Sequence, residues 1–223
     1  MGTWQIKKDL MQRNIDDLFF LKSRIGCYFA GQLLTVEIET ERLYIHSYKD
    51  SDFENCLCLY GDESITKYFD HGKARSETEI NELVHEKGKK YFSKGEPFGL
   101  FSIFSKKSNT FIGQIDLLPT DAPCIAEIGF ILHQEYQNQG FCTEAVKAIL
   151  FDYVEEINFR GPKCWGVPIN KVIATVHPSN LSSKRVLQKI GMSFDKIQER
   201  FEKPRLWYSI PITLPTKIQR VKA

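Results

Sequence analysis

The stretch from Ile125 to Glu156 constrains this chain more than any other. Ile125-Ala126-Glu127-Ile128-Gly129-Phe130-Ile131-Leu132 reads as a strand. A polar loop follows from His133 to Gln139. Gly140-Phe141-Cys142-Thr143-Glu144-Ala145 then opens a long helix to about Glu156, with Ala145, Ile149 and Tyr153 on one face. The free N–H groups of a helix N-terminus, with its dipole, make a ready anion site. Gly140 lets a ligand approach the backbone closely. The small neighbours Cys142 and Thr143 leave room for a diphosphate. No GxxxxGK[ST] run occurs, so such a cradle would work without a Walker lysine. On its own this pattern is weak evidence and reads first as a structural turn.

The rest of the chain supplies a sheet for that unit. Arg42 to His46 alternates as a strand, and Asp50 or Ser51 can cap a helix through Phe53, Leu57 and Tyr60. Ser76 and Glu79 have capping-box spacing ahead of Ile80, Leu83 and Val84, predicting a helix to about Phe92. Phe98 to Phe104 and Thr110 to Leu118 form an antiparallel hairpin by pattern. Val172 to Val176 is a short β-branched strand. Leu181 to Ile190 is a helix capped by Ser179-Asn180 and closed by Gly191. Ser193 to Glu199 and Arg205 to Ile212 are two further strands. The order β-α-α-β-β-β-α-β-α-β-β predicts an α+β (α/β) fold with helices on both faces of a mixed sheet. Three segments follow: an N-terminal extension over 1–36, one domain over 37–212 and a basic tail over 213–223. In the extension, Ile6, Leu10, Ile15, Leu18, Leu21 and Ile25 recur at roughly helical spacing, predicting one or two amphipathic helices. They would pack on the body of the protein or on a second copy, so a homodimer is admitted.

Bulk properties exclude several classes. Thirty Lys and Arg against 28 Asp and Glu give a charge of +2, without the basic excess of a nucleic-acid binder. With 42% hydrophobic residues over 223 positions the chain can bury a real core. No apolar run approaches the roughly 20 residues of a membrane span. The extension mixes Lys7, Lys8, Arg13, Lys22 and Arg24 with Asp9, Asp16 and Asp17, too balanced for an anionic-membrane anchor. No export signal is visible, and the six cysteines show neither a CxxC pair nor zinc spacing. Reduced thiols in the cytoplasm and no metal are the expectation.

Several motifs in order add a resemblance. Gln137-x-x-Gly140-x-Cys142 resembles the acyl-CoA motif Gln/Arg-x-x-Gly-x-Gly/Ala of the GCN5-related N-acetyltransferase (GNAT) superfamily, with Cys142 in place of the usual Gly or Ala. Gly140 to Ala145 is close to the Gly-Tyr-Ala-Thr-Glu-Ala of the branch that includes the ribosomal-protein N-terminal acetyltransferases, the Rim type. Thr40-Glu41-Arg42-Leu43-Tyr44-Ile45 resembles that branch's first strand, and Ala126-Glu127-Ile128-Gly129-Phe130 its "AEIGY" strand. Asn180-x-x-Ser183 followed by Lys189-Ile190-Gly191-Met192 resembles its later helix. The resemblance covers about residues 39–212. Phe159 to Lys171 is longer than the family's usual link.

What the resemblance implies is a GNAT fold, a mostly antiparallel sheet of about seven strands. It also implies acetyl-CoA as co-substrate and direct transfer of acetyl to a primary amine. The amine would be a protein N-terminus or, alternatively, a polyamine, aminoglycoside or amino acid. A catalytically silent acyl-CoA-binding sensor is the other reading. Phe130 and Leu132 would offer backbone groups to the pantetheine arm. The Gln137 loop, with backbone N–H groups of Gln139, Gly140, Cys142 and Thr143, would hold the diphosphate, and Asn180 would reach the pantetheine. Many members carry a tyrosine acid seven residues after the asparagine; here that position is Leu187, which has no proton to give. Ser183 is the expected donor near the thiol. Glu127 is the expected base, directly or through water, with His177 as second candidate. The acceptor would lie against residues 61–73 and 94–98, where Tyr68, Phe69 and His71 are available.

Overall fold

The computed structural model describes residues 23–160 and 168–213. Nine strands form one sheet. They are β1 (Arg24–Ala30), β2 (Leu33–Glu39), β3 (Leu43–Ser47), β4 (Gly99–Ser105), β5 (Phe111–Pro119), β6 (Ile125–Leu132), β7 (Lys171–Val176), β8 (Ser193–Arg200) and β9 (Lys203–Pro211). Their spatial order is β1-β2-β3-β4-β5-β6-β7-β9-β8. Every neighbouring pair is antiparallel except β6 with β7. The mixed, mostly antiparallel sheet matches the expectation, with more strands than the expected seven.

The extra strands correct the reading of the extension. From Arg24 onward it is a β-hairpin, not helix, with Ala30 opposite Leu33 and a two-residue turn at Gly31-Gln32. Gly31 takes φ +63°, a conformation that favours glycine and suits two-residue hairpins. The competing signal was a period of two. Leu34, Val36 and Ile38 are buried against the core while the residues between them are half-exposed. The helical expectation over 1–22, the 161–167 part of the long link and the tail from 214 lie outside the described residues.

Helices cover both faces. On one side sit α1 (Phe53–Tyr60), α2 (Glu63–Thr66) and α3 (Glu77–Leu83); α3 continues as a π-helical turn over Val84–Lys89. Ser76 and Glu79 close the expected capping box, and the Ser76 amide donates to Glu79 Oε2 at 2.7 Å. Tyr60, Leu59, Ile80 and Val84 pack on Leu100, Phe111 and Ile131 of the sheet. On the other side, α4 (Phe141–Lys147), a π-helical stretch (Ala148–Tyr153) and α5 (Val154–Arg160) make one continuous rod. With α6 (Leu181–Lys189) it buries Ile149, Tyr153 and Leu187 against Ile115, Leu117, Val172 and Tyr208.

The parallel pair positions the site. Only Ile125, Ala126 and Glu127 of β6 register with Lys171, Val172 and Ile173 of β7. Both strands continue, β6 to Leu132 and β7 to Val176, but no longer as partners. The sheet therefore splits from Ile128 onward, leaving strand edges whose backbone groups have no ladder partner across the gap. Such groups are costly unless something hydrogen-bonds to them.

Candidate active site

The split opens into a cleft of about 550 Å³. Ile128 to Leu132 form one wall and Ala174 to His177 the other. The starts of α4 and α6 close one side, and Ser64, Ile65, Tyr68 and Phe69 line the far side.

The α4 entrance is shaped by backbone conformation. Asn138 and Gly140 both take left-handed φ, +59° and +83°. Alternating turns of this kind aim successive N–H groups inward as an anion-binding concavity. Gly140 is the N-cap and no side chain caps the helix, so the first-turn donors have no side-chain cap. Gln137 folds the loop back, its Nε2 donating to the Leu132 carbonyl at 3.0 Å. The Cys142 thiol packs on the core, and desolvation pushes it well above its ordinary value, so it stays a protonated, passive liner.

One strap of this loop went unrecognised in the sequence. Arg42 Nε donates to Glu144 Oε2 at 2.6 Å, and its Nη1 to the Gln139 carbonyl at 3.0 Å. Its guanidinium lies 4.4 Å from the centre of the Phe141 ring. Thr40 Oγ1 and the Arg42 amide both donate to Glu144 Oε1, at 2.6 and 2.9 Å. The two motifs read separately in the sequence, Thr40-Glu41-Arg42 and Gly140 to Glu144, are thus one physical unit. The signal was present as a complementary pair, Arg42 and Glu144, but 102 residues of separation hid it.

Most expected residues converge. Phe130, Leu132, Gln137, Gly140, Cys142, Thr143, Asn180 and Ser183 all line the cleft. Asn180 Oδ1 accepts from the Ser183 amide at 3.0 Å, so it caps α6 while facing the cleft. Leu187 also lines it, so an apolar side chain stands at the tyrosine position. Several expected residues stand apart: on the acceptor side His71 and residues 94–98 are absent from the lining, and so are Gln139 and Glu127. Gln139 is exposed and absent from the lining, its Nε2 donating to the Glu135 carbonyl at 2.5 Å. Glu127 lies on β6 outside the lining, and its Oε1 accepts from Arg200 Nη1 at 2.5 Å.

His177 lines the cleft, stacked on Tyr68 with ring centroids 5.2 Å apart. Its Nδ1 accepts from the Ser179 amide at 3.2 Å. Desolvation, then Arg205 and Lys203, push its pKa below the ordinary histidine value, so it is neutral at pH 7. Tyr136 and Arg185 are further liners that the sequence reading did not single out. Among the described residues no cluster of His, Cys, Asp and Glu could hold a metal ion, and no helix is long and apolar enough to cross a membrane.

Comparison with known proteins identifies the family and the fold. Residues 42–193 match the family described as "Acetyltransferase (GNAT) domain". The chain is 28% identical over 157 residues to "Uncharacterized N-acetyltransferase YnaD" of Bacillus subtilis (strain 168), covering 70% of this chain and 82% of that protein. Two solved structures share the fold. Spermidine N-acetyltransferase from Vibrio cholerae, in complex with CoA and spermine, superposes with a TM-score of 0.61 at 18% identity, over 76% of this chain and 95% of that one. Ribosomal-protein-S5-alanine acetyltransferase from Vibrio fischeri gives 0.60 at 16% identity, over 79% and 96%.

Proposed function

This chain belongs to the acetyltransferase (GNAT) family and is an acyltransferase, and on that premise we propose that it moves an acetyl group from acetyl-CoA to a primary amine by direct attack on the thioester. The observation that carries this is the split between β6 and β7 beside a glycine-opened, uncapped helix start. The uncapped N–H groups of Phe141 to Thr143 suit a diphosphate. The unpaired edge of β6 at Phe130 and Leu132 suits a pantetheine arm, which carries amide groups that can complete a strand ladder. A backbone N–H on that edge would stabilise the tetrahedral oxyanion.

The chain's own groups then have defined tasks. Asn180 holds the α6 entrance, and the Ser183 hydroxyl is the donor offered to the departing thiolate. Leu187 keeps that region apolar. The acceptor enters past Tyr68 and Phe69. Both a protein N-terminal amine and a small-molecule amine are compatible with this reading, since the neighbours include a spermidine enzyme and a ribosomal-protein enzyme. Leu187 favours one competing reading, a cleft that binds acyl-CoA without turnover. Acetyl-CoA incubated with a panel of amines separates them. Free CoA appears only if acetyl is transferred, and binding without release defeats the proposal. A soluble cytoplasmic protein, alone or paired with a second copy, is the setting proposed for this activity.

A further inference from the structure

We propose that the acceptor end of this cleft selects an α-amino acyl group, the free amine of a peptide or an amino acid, over polycationic amines, and that His177 recognises it by donating a hydrogen bond from Nε2 to the acyl oxygen beside the amine. This rests on the acetyltransferase reading above and names the class of acceptor at the same cleft.

The charges around the cleft carry the first half. A polyamine or an aminoglycoside brings several positive charges, and a site that holds one needs opposite charges to meet them. No Asp or Glu is among the residues that line this cleft; its charged liners are Arg185 and Lys189 of α6. Three carboxylates touch or adjoin liners on the acceptor side, and each is engaged elsewhere. Asp70, next to Phe69, is tied to Arg75 at 2.5 Å. Glu127, reached by Thr175 Oγ1 at 3.5 Å, is tied to Arg200 at 2.5 Å. Asp62 is exposed and caps α2, accepting from the Ser64 amide at 2.8 Å.

The cations on this side have no such partners. Arg205 of β9 is only 3% exposed. Its Nη1 donates to the Tyr68 carbonyl at 2.8 Å and its Nη2 to the Asp70 carbonyl, while its Nε is unpartnered among the described residues. Lys203 Nζ donates to the His71 carbonyl at 2.8 Å. The segment carrying Tyr68 and Phe69 is thus held through its carbonyls by two cations, whose charge stays uncompensated. Their field reaches the cleft wall, since after desolvation they are what holds His177 below the ordinary histidine value. A second ammonium on the acceptor is repelled there.

His177 carries the second half. It lines the cleft, and its ring is fixed twice. Tyr68 stacks on it at 5.2 Å with 25° between the planes, and Nδ1 accepts from the Ser179 amide at 3.2 Å. With Nδ1 an acceptor, the neutral ring keeps its proton on Nε2. Among the described residues nothing accepts from that Nε2. His177 is therefore a donor poised at the acceptor end rather than the second base that the sequence suggested. An α-amino acyl group supplies the missing acceptor: an acyl oxygen on the carbon next to the one that bears the amine, with no further cation. Fixing that oxygen fixes the attacking nitrogen. Ile65 and Phe69 offer apolar surface to the side chain beside it.

The test follows CoA release from acetyl-CoA with an alanine tetrapeptide amide, alanine, n-butylamine and spermidine. Wild type is compared with His177→Phe and His177→Gln. Wild type is expected to prefer the α-amino acyl acceptors over n-butylamine by about 10-fold in kcat/KM, the scale of one well-placed hydrogen bond, and over spermidine by more. The faster of peptide amide and alanine identifies the source of the group. His177→Phe keeps a ring on Tyr68 but loses the donor. It is expected to raise KM for that acceptor about 10-fold while kcat and acetyl-CoA affinity stay close to wild type. His177→Gln loses the ring but restores an N–H near the place of Nε2, and should recover most of the loss. A merely structural stack would reverse that order, and a base would lose kcat in both variants; either pattern overturns the proposal. So does wild type that uses spermidine or n-butylamine as well as the α-amino acyl acceptors, a comparison that needs no variant to fold. Spermidine as the sole productive amine overturns this selection and leaves the acetyltransferase reading standing. Acetyl-CoA that binds and is discharged by no amine overturns that reading itself.

Discussion

Replacing Gly140 by aspartate places a charge at the cradle while disturbing the fold little. Gly140 holds φ +83°, and aspartate is one of the few residues that visits this region without large strain. The nearest atom to a new Cβ would be Arg42 Nη2 at 3.3 Å, the far end of a flexible side chain that can yield. The new carboxylate would stand at the mouth of the proposed diphosphate site, beside the exposed Arg42 guanidinium, which offsets only part of its charge. Two unit charges about 4 Å apart interact by roughly 4 kcal/mol at an effective dielectric of about 20. That weakens binding by on the order of 10³-fold. Acetyl-CoA at 100 times its Kd stabilises the folded state by about 2.7 kcal/mol. For a domain of this size that raises Tm by about 5–11 °C. At the same concentration the aspartate variant should gain less than about 1 °C. Gly140→Ala is the control. Its strain should cost the unliganded protein about 1–2 kcal/mol but spare most of the ligand shift. Thermal melts with and without acetyl-CoA read both. A full shift in the aspartate variant would refute the diphosphate assignment.

Arg42→Met should change unfolding free energy by less than about 1 kcal/mol, because Arg42 is exposed and Glu144 keeps Thr40 Oγ1 and the residue-42 amide as donors. It should nevertheless weaken acetyl-CoA binding several-fold in calorimetry by freeing the Gln139 carbonyl; unchanged affinity would mean the loop needs no strap. Ile38→Ala removes a fully buried side chain of the hairpin and should cost about 2–5 kcal/mol in denaturant titrations. Acetyl-CoA affinity should be untouched, since β2 lies at the far end of the sheet order from the split. Asp116, then Asp70 and Glu127, hold the Lys87 ammonium above its ordinary 10.5. A raised folded pKa means that this stabilisation is complete below about pH 10.5 and lost as pH rises through the higher folded value. Alkaline melts should therefore show a loss in wild type that is absent in the Lys87→Met/Asp116→Asn variant.

What was legible in the sequence was local. Ile125 to Leu132, the helix after Gly140 and the Ser76–Glu79 capping box each announce themselves within a dozen residues, by period or by cap chemistry. So did the loop–helix cradle and the Asn180 cap. The hairpin was misread because the apolar spacing before Arg24 ran on to Ile25, while Leu34, Val36 and Ile38 needed the alternate period to be tried from Leu33 onward. Pairs distant in the sequence left no local trace. Arg42 with Glu144, Glu127 with Arg200 and Lys87 with Asp116 join residues 102, 73 and 29 positions apart. A carboxylate on a strand looks the same in sequence whether a guanidinium holds it or not. Gly129 was legible as part of a motif, but its reason, the Asp116 carboxylate 2.3 Å from where a Cβ would sit, belongs to the neighbouring strand β5.

Turnover tests the central claim most directly. Purified full-length protein is incubated with acetyl-CoA and, in separate reactions, with peptides bearing free N-termini, polyamines, aminoglycosides and amino acids. Free thiol is followed by colour, and the acetylated amine by mass. The account predicts that at least one amine releases CoA in step with its own gain of one acetyl group, and that Gly140→Asp abolishes both. Acetyl-CoA that stabilises the protein yet is never discharged by any amine would contradict it, and would make the cleft a binding site without chemistry.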